Sequence, residues 1–222
     1  MAINYDGDAT PDIVITESAF TGGAVYRGAN PASFTFTSGV GEVVGADFDG
    51  DGRQDLVIDL FSGPVVLKGN PGPLLSFAAP VQLNAQIGYH ALALADYNRD
   101  GLPDVAVSTY DIGPTGGDRV DIYLGDRTRL LVPAATVSGL RAIQLAASDI
   151  NGDSIVDLTA ATAYGVVVHL GVGNGTFGAR RTLASATTRN RSVAFGDLNN
   201  DGRPDFVAGA HTTDLVVFLS DP

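Results

Sequence analysis

The sequence predicts an all-β fold: a β-propeller of five blades, each of about four antiparallel strands. Three observations carry that prediction. A nine-residue acidic stretch recurs five times, with starts 43, 49, 53 and 48 residues apart, and self-similarity at such a period marks a solenoid, propeller or array. Around each copy lie short runs rich in Val, Ile, Leu, Thr and Phe, broken by Gly, Pro, Asn and Asp, which is how strands and turns read. No stretch keeps a 3.6-residue apolar period long enough for a helix.

The acidic stretch is clearest at 47–55, DFDGDGRQD. It returns at 96–104 (DYNRDGLPD), 149–157 (DINGDSIVD) and 197–205 (DLNNDGRPD), with a worn copy at 4–12 (NYDGDATPD). Asp or Asn stands at positions 1, 3 and 5, a small residue at 6 and Asp at 9. Alternate oxygens on a tight turn converge on one point, which suits a hard divalent cation such as calcium. Glycine at position 6 permits positive φ without a Cβ clash. The alternative is a set of Asx-turns that cap the backbone and bind nothing. Five copies, all with Asp at position 9, favour the cation, because clustered carboxylates repel one another without one. An EF-hand is excluded: it needs Glu at position 12 and flanking helices. Position 12 holds Ile15, Ile58, Val107, Ala160 and Ala208, each inside an apolar run.

Each unit follows one plan. A run with small residues leads into the loop (43–46, 91–95, 142–147, 192–196). A β-prone run follows it (13–16, 56–60, 105–110, 158–161, 206–208), then a third after a turn (24–27, 65–68, 120–124, 166–170, 215–219). A looser fourth closes the unit (33–37, 77–83, 131–137, 177–183). Four short strands in about 45 residues match a propeller blade. Blades bury both faces, which accounts for near-continuous apolar runs such as VVVHL, where His169 reads as a packed strand residue. One domain over 1–222 is expected, with units near 1–40, 41–88, 89–139, 140–189 and 190–222. The terminal units are expected to be incomplete, and Met1 leads into a loop copy without a signal peptide.

Composition bounds function. With 45% hydrophobic and 17% charged residues, the chain is compact and globular rather than disordered. No apolar run approaches a membrane span, so membrane insertion is not expected. There is no cysteine, which removes disulfides and thiolate chemistry. Of 23 Asp, 16 lie in the five loops, and Glu17 and Glu42 are the only glutamates. One calcium per loop would take the formal charge from −12 to −2, so the acidity is mostly metal ligand. With Lys68 as its sole lysine, the chain is a poor nucleic-acid binder. Millimolar calcium is found outside cells, so an extracellular or cell-surface location is expected.

The five loops, together with GVGNGTFG at 171–178, resemble the FG-GAP/VCBS repeats of integrin-α-like calcium-binding propellers and of many bacterial secreted proteins. The resemblance covers essentially the whole chain. It implies calcium held by the side chains at positions 1, 3, 5 and 9 and the carbonyl at 7. That gives Asp47, Asp49, Asp51, Arg53 and Asp55 in the second copy, and Asp96, Asn98, Asp100, Leu102 and Asp104 in the third. The fourth supplies Asp149, Asn151, Asp153, Ile155 and Asp157; the fifth supplies Asp197, Asn199, Asp201, Arg203 and Asp205. The first offers Asn4, Asp6, Asp8 and Asp12. Asn4 lacks a charge and Ala9 replaces the glycine, so calcium is expected to be weakest at 4–12. Ser154 replaces the glycine of the fourth copy, and a non-glycine there costs about 1 kcal/mol.

Because blade strands alternate direction, the calcium loops share one face. The turns after strands two and four open on the other, where relatives usually bind ligands. Tyr110, Asp111, Tyr164 and His211 fall on that face, with Glu17, Phe20 and Phe61. Tyr89, His90, Arg141, Arg189 and Arg191 come from the connections between units. Aromatic, Arg and His side chains suit a glycan or a protein loop, and 109–119 is the longest such turn. Enzyme signals are thin: the three histidines are scattered, and no HExxH or triad motif is present. GVGNG lacks the helix that a dinucleotide fingerprint needs. A non-catalytic binding or adhesion module is therefore expected. The alternatives are a structural scaffold self-associating through the incomplete terminal blade, and a propeller enzyme such as a polysaccharide lyase built on Tyr89, His90 and Arg141.

Overall fold

The computed structural model describes residues 2–3, 12–16, 23–27, 30–36, 40–60, 62–71, 76–84, 88–89, 91–111, 117–185, 190–210 and 215–219. Among them every regular element is a strand. The first sheet holds β1 (Ala2–Ile3), β2 (Asp12–Thr16), β3 (Gly23–Arg27) and β4 (Asn30–Phe36) in that spatial order. The second holds β5 (Val40–Ala46), β6 (Asp55–Leu60), β7 (Val65–Leu67) and β8 (Val81–Gln82). After the short β9 (Gly88–Tyr89) come β10 (Leu92–Ala95), β11 (Asp104–Asp111), β12 (Arg119–Asp126) and β13 (Leu130–Ser138). The fourth sheet is β14 (Ala142–Ser148), β15 (Asp157–Thr162), β16 (Gly165–Gly171) and β17 (Phe177–Ser185). The last is β18 (Asn190–Gly196), β19 (Asp205–Ala210) and β20 (Leu215–Phe218).

In each sheet chain order equals spatial order, the antiparallel meander of a propeller blade. Four sheets have at least four strands, and the last has three among the described residues. Every acidic loop in described residues joins the first long strand of its sheet to the second, as after β5, β10, β14 and β18.

Two compact units emerge. One comprises Met1–His90, Asp111–Gly116 and Gly125–Val132; the other comprises Ala91–Tyr110, Gly117–Leu124 and Pro133–Pro222. In the first, β6 and β7 are buried except at Leu60, and Phe48 is fully enclosed. In the second, β15 is buried at every residue, with its two faces in different cores. Leu158 and Ala160 join Ala106, Ile122 and Leu145 on one side; Ala161 joins Val193, Phe206 and Ala208 on the other. That division is the period of two expected of a strand covered on both faces. His169 is buried in β16, with Nδ1 2.9 Å from the Gly178 carbonyl oxygen, the packed strand residue the sequence indicates.

The turn within GVGNGTFG is a docking element. The Gly175 amide donates to the Tyr97 carbonyl at 3.0 Å, and the Phe177 ring meets the buried Tyr97 ring edge-on, centroids 5.5 Å apart. Gly175 has φ 80°, and a Cβ on it would press on Leu124. The fourth sheet is thereby fastened to the acidic loop of the third.

Two strands depart from expectation. The run 77–83 forms only an isolated bridge at Phe77 and the two-residue β8; Pro80 withholds an amide from that ladder. Conversely, β11 continues through Asp111 and β12 starts at Arg119. Tyr110 and Asp111 thus end a strand, and the connection is shorter than 109–119.

Replacing Phe177 with Ala is expected to cost about 2–3 kcal/mol, since a large ring leaves a partly buried contact. Tyr97→Phe, which keeps the ring, should cost about 1 kcal/mol or less. Urea denaturation checks both; equal losses would show that the ring contact is not the fastening.

Candidate metal centre

The four loops in described residues share one hydrogen-bond plan. The position 1 carboxylate accepts the amides of positions 5 and 6: Asp47 from Asp51 (3.0 Å) and Gly52 (2.8 Å), Asp96 from Asp100 (3.1 Å) and Gly101 (2.9 Å). Asp149 and Asp197 do the same. The position 3 oxygen, on Asp49, Asn98, Asn151 or Asn199, accepts the position 5 amide as well. The position 5 carboxylate accepts the amide of position 7, from Arg53, Leu102, Ile155 or Arg203. These are Asx-turns in series.

Such a tight course needs left-handed backbone twice. Position 6 has φ of 85° at Gly52, 84° at Gly101, 64° at Ser154 and 82° at Gly202. Position 4 does likewise, at Gly50, Arg99, Gly152 and Asn200, with φ from 60° to 77°. Arg99, Ser154 and Asn200 hold this conformation despite their side chains.

Position 9 behaves differently. Asp55, Asp104, Asp157 and Asp205 are fully buried. Asp55 accepts the Phe48 amide at 3.0 Å and the Gly69 amide at 2.9 Å; Asp157 accepts those of Ile150 at 2.9 Å and Gly171 at 2.8 Å. Each carboxylate ties the start of its loop to the end of the third long strand. Glycine is required there, because a Cβ on Gly69 or Gly171 would run into the carbonyl of Gln54 or Val156. Burial pushes the Asp55 carboxyl up to about 6 against the pull of its two amides, with the Asp49 charge adding to the rise. Asp157 is raised for the same first reason.

Asp47, Asp49 and Asp55 bring ligand oxygens within 4.8 Å of one another. Ligands around one calcium ion at 2.3–2.6 Å lie at most about 5 Å apart, so this cluster could hold a metal, and its all-oxygen donors suit a hard one. Lys68, just past β7, pairs with Asp49 and lies 3.0 Å from Asp51. Arg53 reaches Asp51 at 3.2 Å. Desolvation is the largest single influence on Asp51 and raises its carboxyl, but Lys68 and Arg53 together outweigh it, and the carboxyl falls below the usual value. The paired Asp49 carboxylate raises Lys68.

Other expected site residues are scattered. Tyr164 is 74% exposed in the β15–β16 turn. Arg141 precedes β14 and is half-buried, Tyr89 ends β9, and Arg191 lies in β18. Asp12 starts β2. Asn4, Asp6, Asp8, Glu17, Phe20, Phe61, His90, Arg189 and His211 lie outside the described residues. Lys68 and the glycines after the third run were not singled out from sequence, although Gly28, Gly69, Gly125 and Gly171 all end that run.

A family model described as FG-GAP-like repeat matches residues 47–107 and 149–208, more than half of the chain. Among solved structures, the chain is similar to a lectin of Agrocybe aegerita described as recognising non-reducing terminal N-acetylglucosamine. The identity is 17% and the TM-score 0.37, over 95% of this chain and 73% of that one. It is also similar to the Tc holotoxin pore of Photorhabdus luminescens, at 20% identity and TM-score 0.43, over 99% of this chain and 11% of that one. No curated protein matches.

Two outcomes follow for the metal-free chain. Asp157→Ala leaves two half-buried amides without an acceptor and should cost about 2–4 kcal/mol; Asp149→Ala, whose amides are exposed, should cost less. Urea denaturation in excess chelator checks the order. Asp55 holds its proton to about 6, against 3.8 for an ordinary Asp, so between those values the folded chain binds more protons than the unfolded. Stability in chelator should therefore fall as pH rises from about 4 to about 6. A midpoint that climbs across that window contradicts the assignment.

Proposed function

This chain belongs to the FG-GAP-like repeat family, and from that premise we propose that it is a calcium-stabilised binding or adhesion module built of five blades. The observation that carries the reading is the convergence of Asp47, Asp49 and Asp55 within 4.8 Å, on a loop plan repeated in the third, fourth and fifth sheets. When bound, calcium supplies positive charge to carboxylates that otherwise repel. Asp47, Asp49, Asp51 and Asp55, the Arg53 carbonyl and their counterparts would hold it. The loop 4–12, with Asn4 and Ala9, is the weakest of the five. Extracellular calcium fits such sites, so the module works outside the cell or on its surface.

Its ligand is a glycan or a protein loop. The supporting residues are Tyr89, His90, Tyr110, Asp111, Arg141, Tyr164, Arg191 and His211, assigned to the face opposite the calcium loops by strand alternation. FG-GAP repeats are generally non-catalytic, which agrees with a binding role. A second reading draws on β20: Leu215, Val216 and Val217 are 66%, 40% and 48% exposed on that edge strand. An exposed apolar edge is a template for pairing with another chain, which favours a self-associating scaffold.

A glycan array run in millimolar calcium and again in chelator separates these readings, with sedimentation in parallel. Calcium should raise the thermal midpoint by about 10 °C, as two sites saturated a hundredfold above Kd would do. Calcium-dependent capture of one sugar class is expected. A silent array with concentration-dependent oligomers would establish the scaffold instead. An unchanged midpoint would sink the calcium reading.

A further inference from the structure

The second loop differs from the third, fourth and fifth at position 3. At position 3 it carries Asp49, where the third, fourth and fifth loops carry Asn98, Asn151 and Asn199. Each of those asparagines turns its amide nitrogen onto the position 5 carboxylate: Asn98 on Asp100 at 2.8 Å, Asn151 on Asp153 and Asn199 on Asp201 at 2.9 Å. Asp49 has no N–H to give. The donor in its place is the Lys68 ammonium, which contacts Asp49 and lies 3.0 Å from Asp51. The residues at the matching place before the strand-end glycine are Leu124 and Leu170 in the third and fourth sheets, so neither of those loops has this cation; the first unit carries Arg27 before Gly28 and Asp6 at position 3. Arg53, also near Asp51, has a counterpart in Arg203 of the fifth loop. Counting Lys68 with the side chains at positions 1, 3, 5 and 9 gives the second loop a formal charge of −3, equal to that of the same positions in the third, fourth and fifth.

We infer that Lys68 is a tethered cation of the second loop: it satisfies Asp49 and Asp51 when no divalent ion is bound and competes with that ion for them. The inference rests on the calcium reading of the loops. A bound ion must outcompete Lys68 at the second loop, whereas at the third, fourth and fifth it meets the neutral amide groups of Asn98, Asn151 and Asn199. The second loop is thus built to stay ordered without metal and to fill at higher calcium than its charge alone would set.

The test follows the position 6 amides of Gly52, Gly101 and Gly202 by ¹H–¹⁵N NMR during calcium titration of the full chain, with thermal midpoints in chelator. Lys68→Leu should lower the calcium midpoint of Gly52 by about three- to tenfold, the span of a partly exposed ion pair. Gly101 and Gly202 should not move. The same variant should melt earlier than wild type in chelator but not in saturating calcium. Should it fold poorly without metal, Lys68→Leu combined with Asp49→Asn rebuilds the arrangement of the third and fourth loops. That pair should regain stability in chelator. A Gly52 midpoint that stays put or rises in Lys68→Leu overturns the inference while leaving the calcium reading intact. Absence of a calcium response at all three glycines overturns both.

Discussion

The fold depends on a buried carboxylate at the ninth position of each of the four described loops: Asp55, Asp104, Asp157 and Asp205. An ionised group with no exposure is costly unless hydrogen bonds meet it, and here backbone amides do so from two directions. At Asp55 and Asp157 one amide belongs to the second residue of the loop and the other to the glycine that ends the third long strand. A single side chain therefore fixes both where the loop begins and how far along the sheet it closes. Asp suits this place because its short stem brings both oxygens to backbone level. The partner glycine follows from the same geometry, since the position 8 carbonyl fills the space a Cβ would take at Gly69 and Gly171.

That carboxylate also organises packing between sheets in the second unit. The residue whose amide it holds at position 2 turns its side chain into the core: Phe48 and Tyr97 are both buried. Tyr97 donates its amide to Asp104 at 2.7 Å, accepts from Gly175 through its carbonyl, and sets its ring against Phe177. Loop order and sheet packing are thus one structure, joined through one residue's backbone and ring. Leu198, at the same position of the fifth loop, is 50% exposed, so the position can serve as a packing point without always being used as one.

Most of this was legible wherever residue type and conformation are tightly coupled. Position 9 is always Asp, and position 6 is glycine in three of the five copies, Gly52, Gly101 and Gly202; the strands announced themselves by apolar runs between turn residues. Legibility failed where several residue types serve one conformation. Position 4 is left-handed throughout, yet it holds Gly50, Arg99, Gly152 and Asn200, a set without a common signature. It failed again where a contact spans distant residues: nothing near Lys68 in sequence announces Asp49, 19 positions away. The reading of 77–83 as a strand weighed its apolar content above Pro80, and the missing amide decided the matter.

The two readings the loops invite, Asx-turn and metal site, are not rivals. In the four described loops every carboxylate or amide at positions 1, 3 and 5 already accepts backbone N–H groups, which holds its oxygens in place without an ion. A carboxylate has about four lone-pair sites, and the two amide bonds that Asp47 accepts leave room for a cation. Asx-turns therefore preform the cradle, and a ligand entering a preformed cradle avoids the entropy of ordering nine residues.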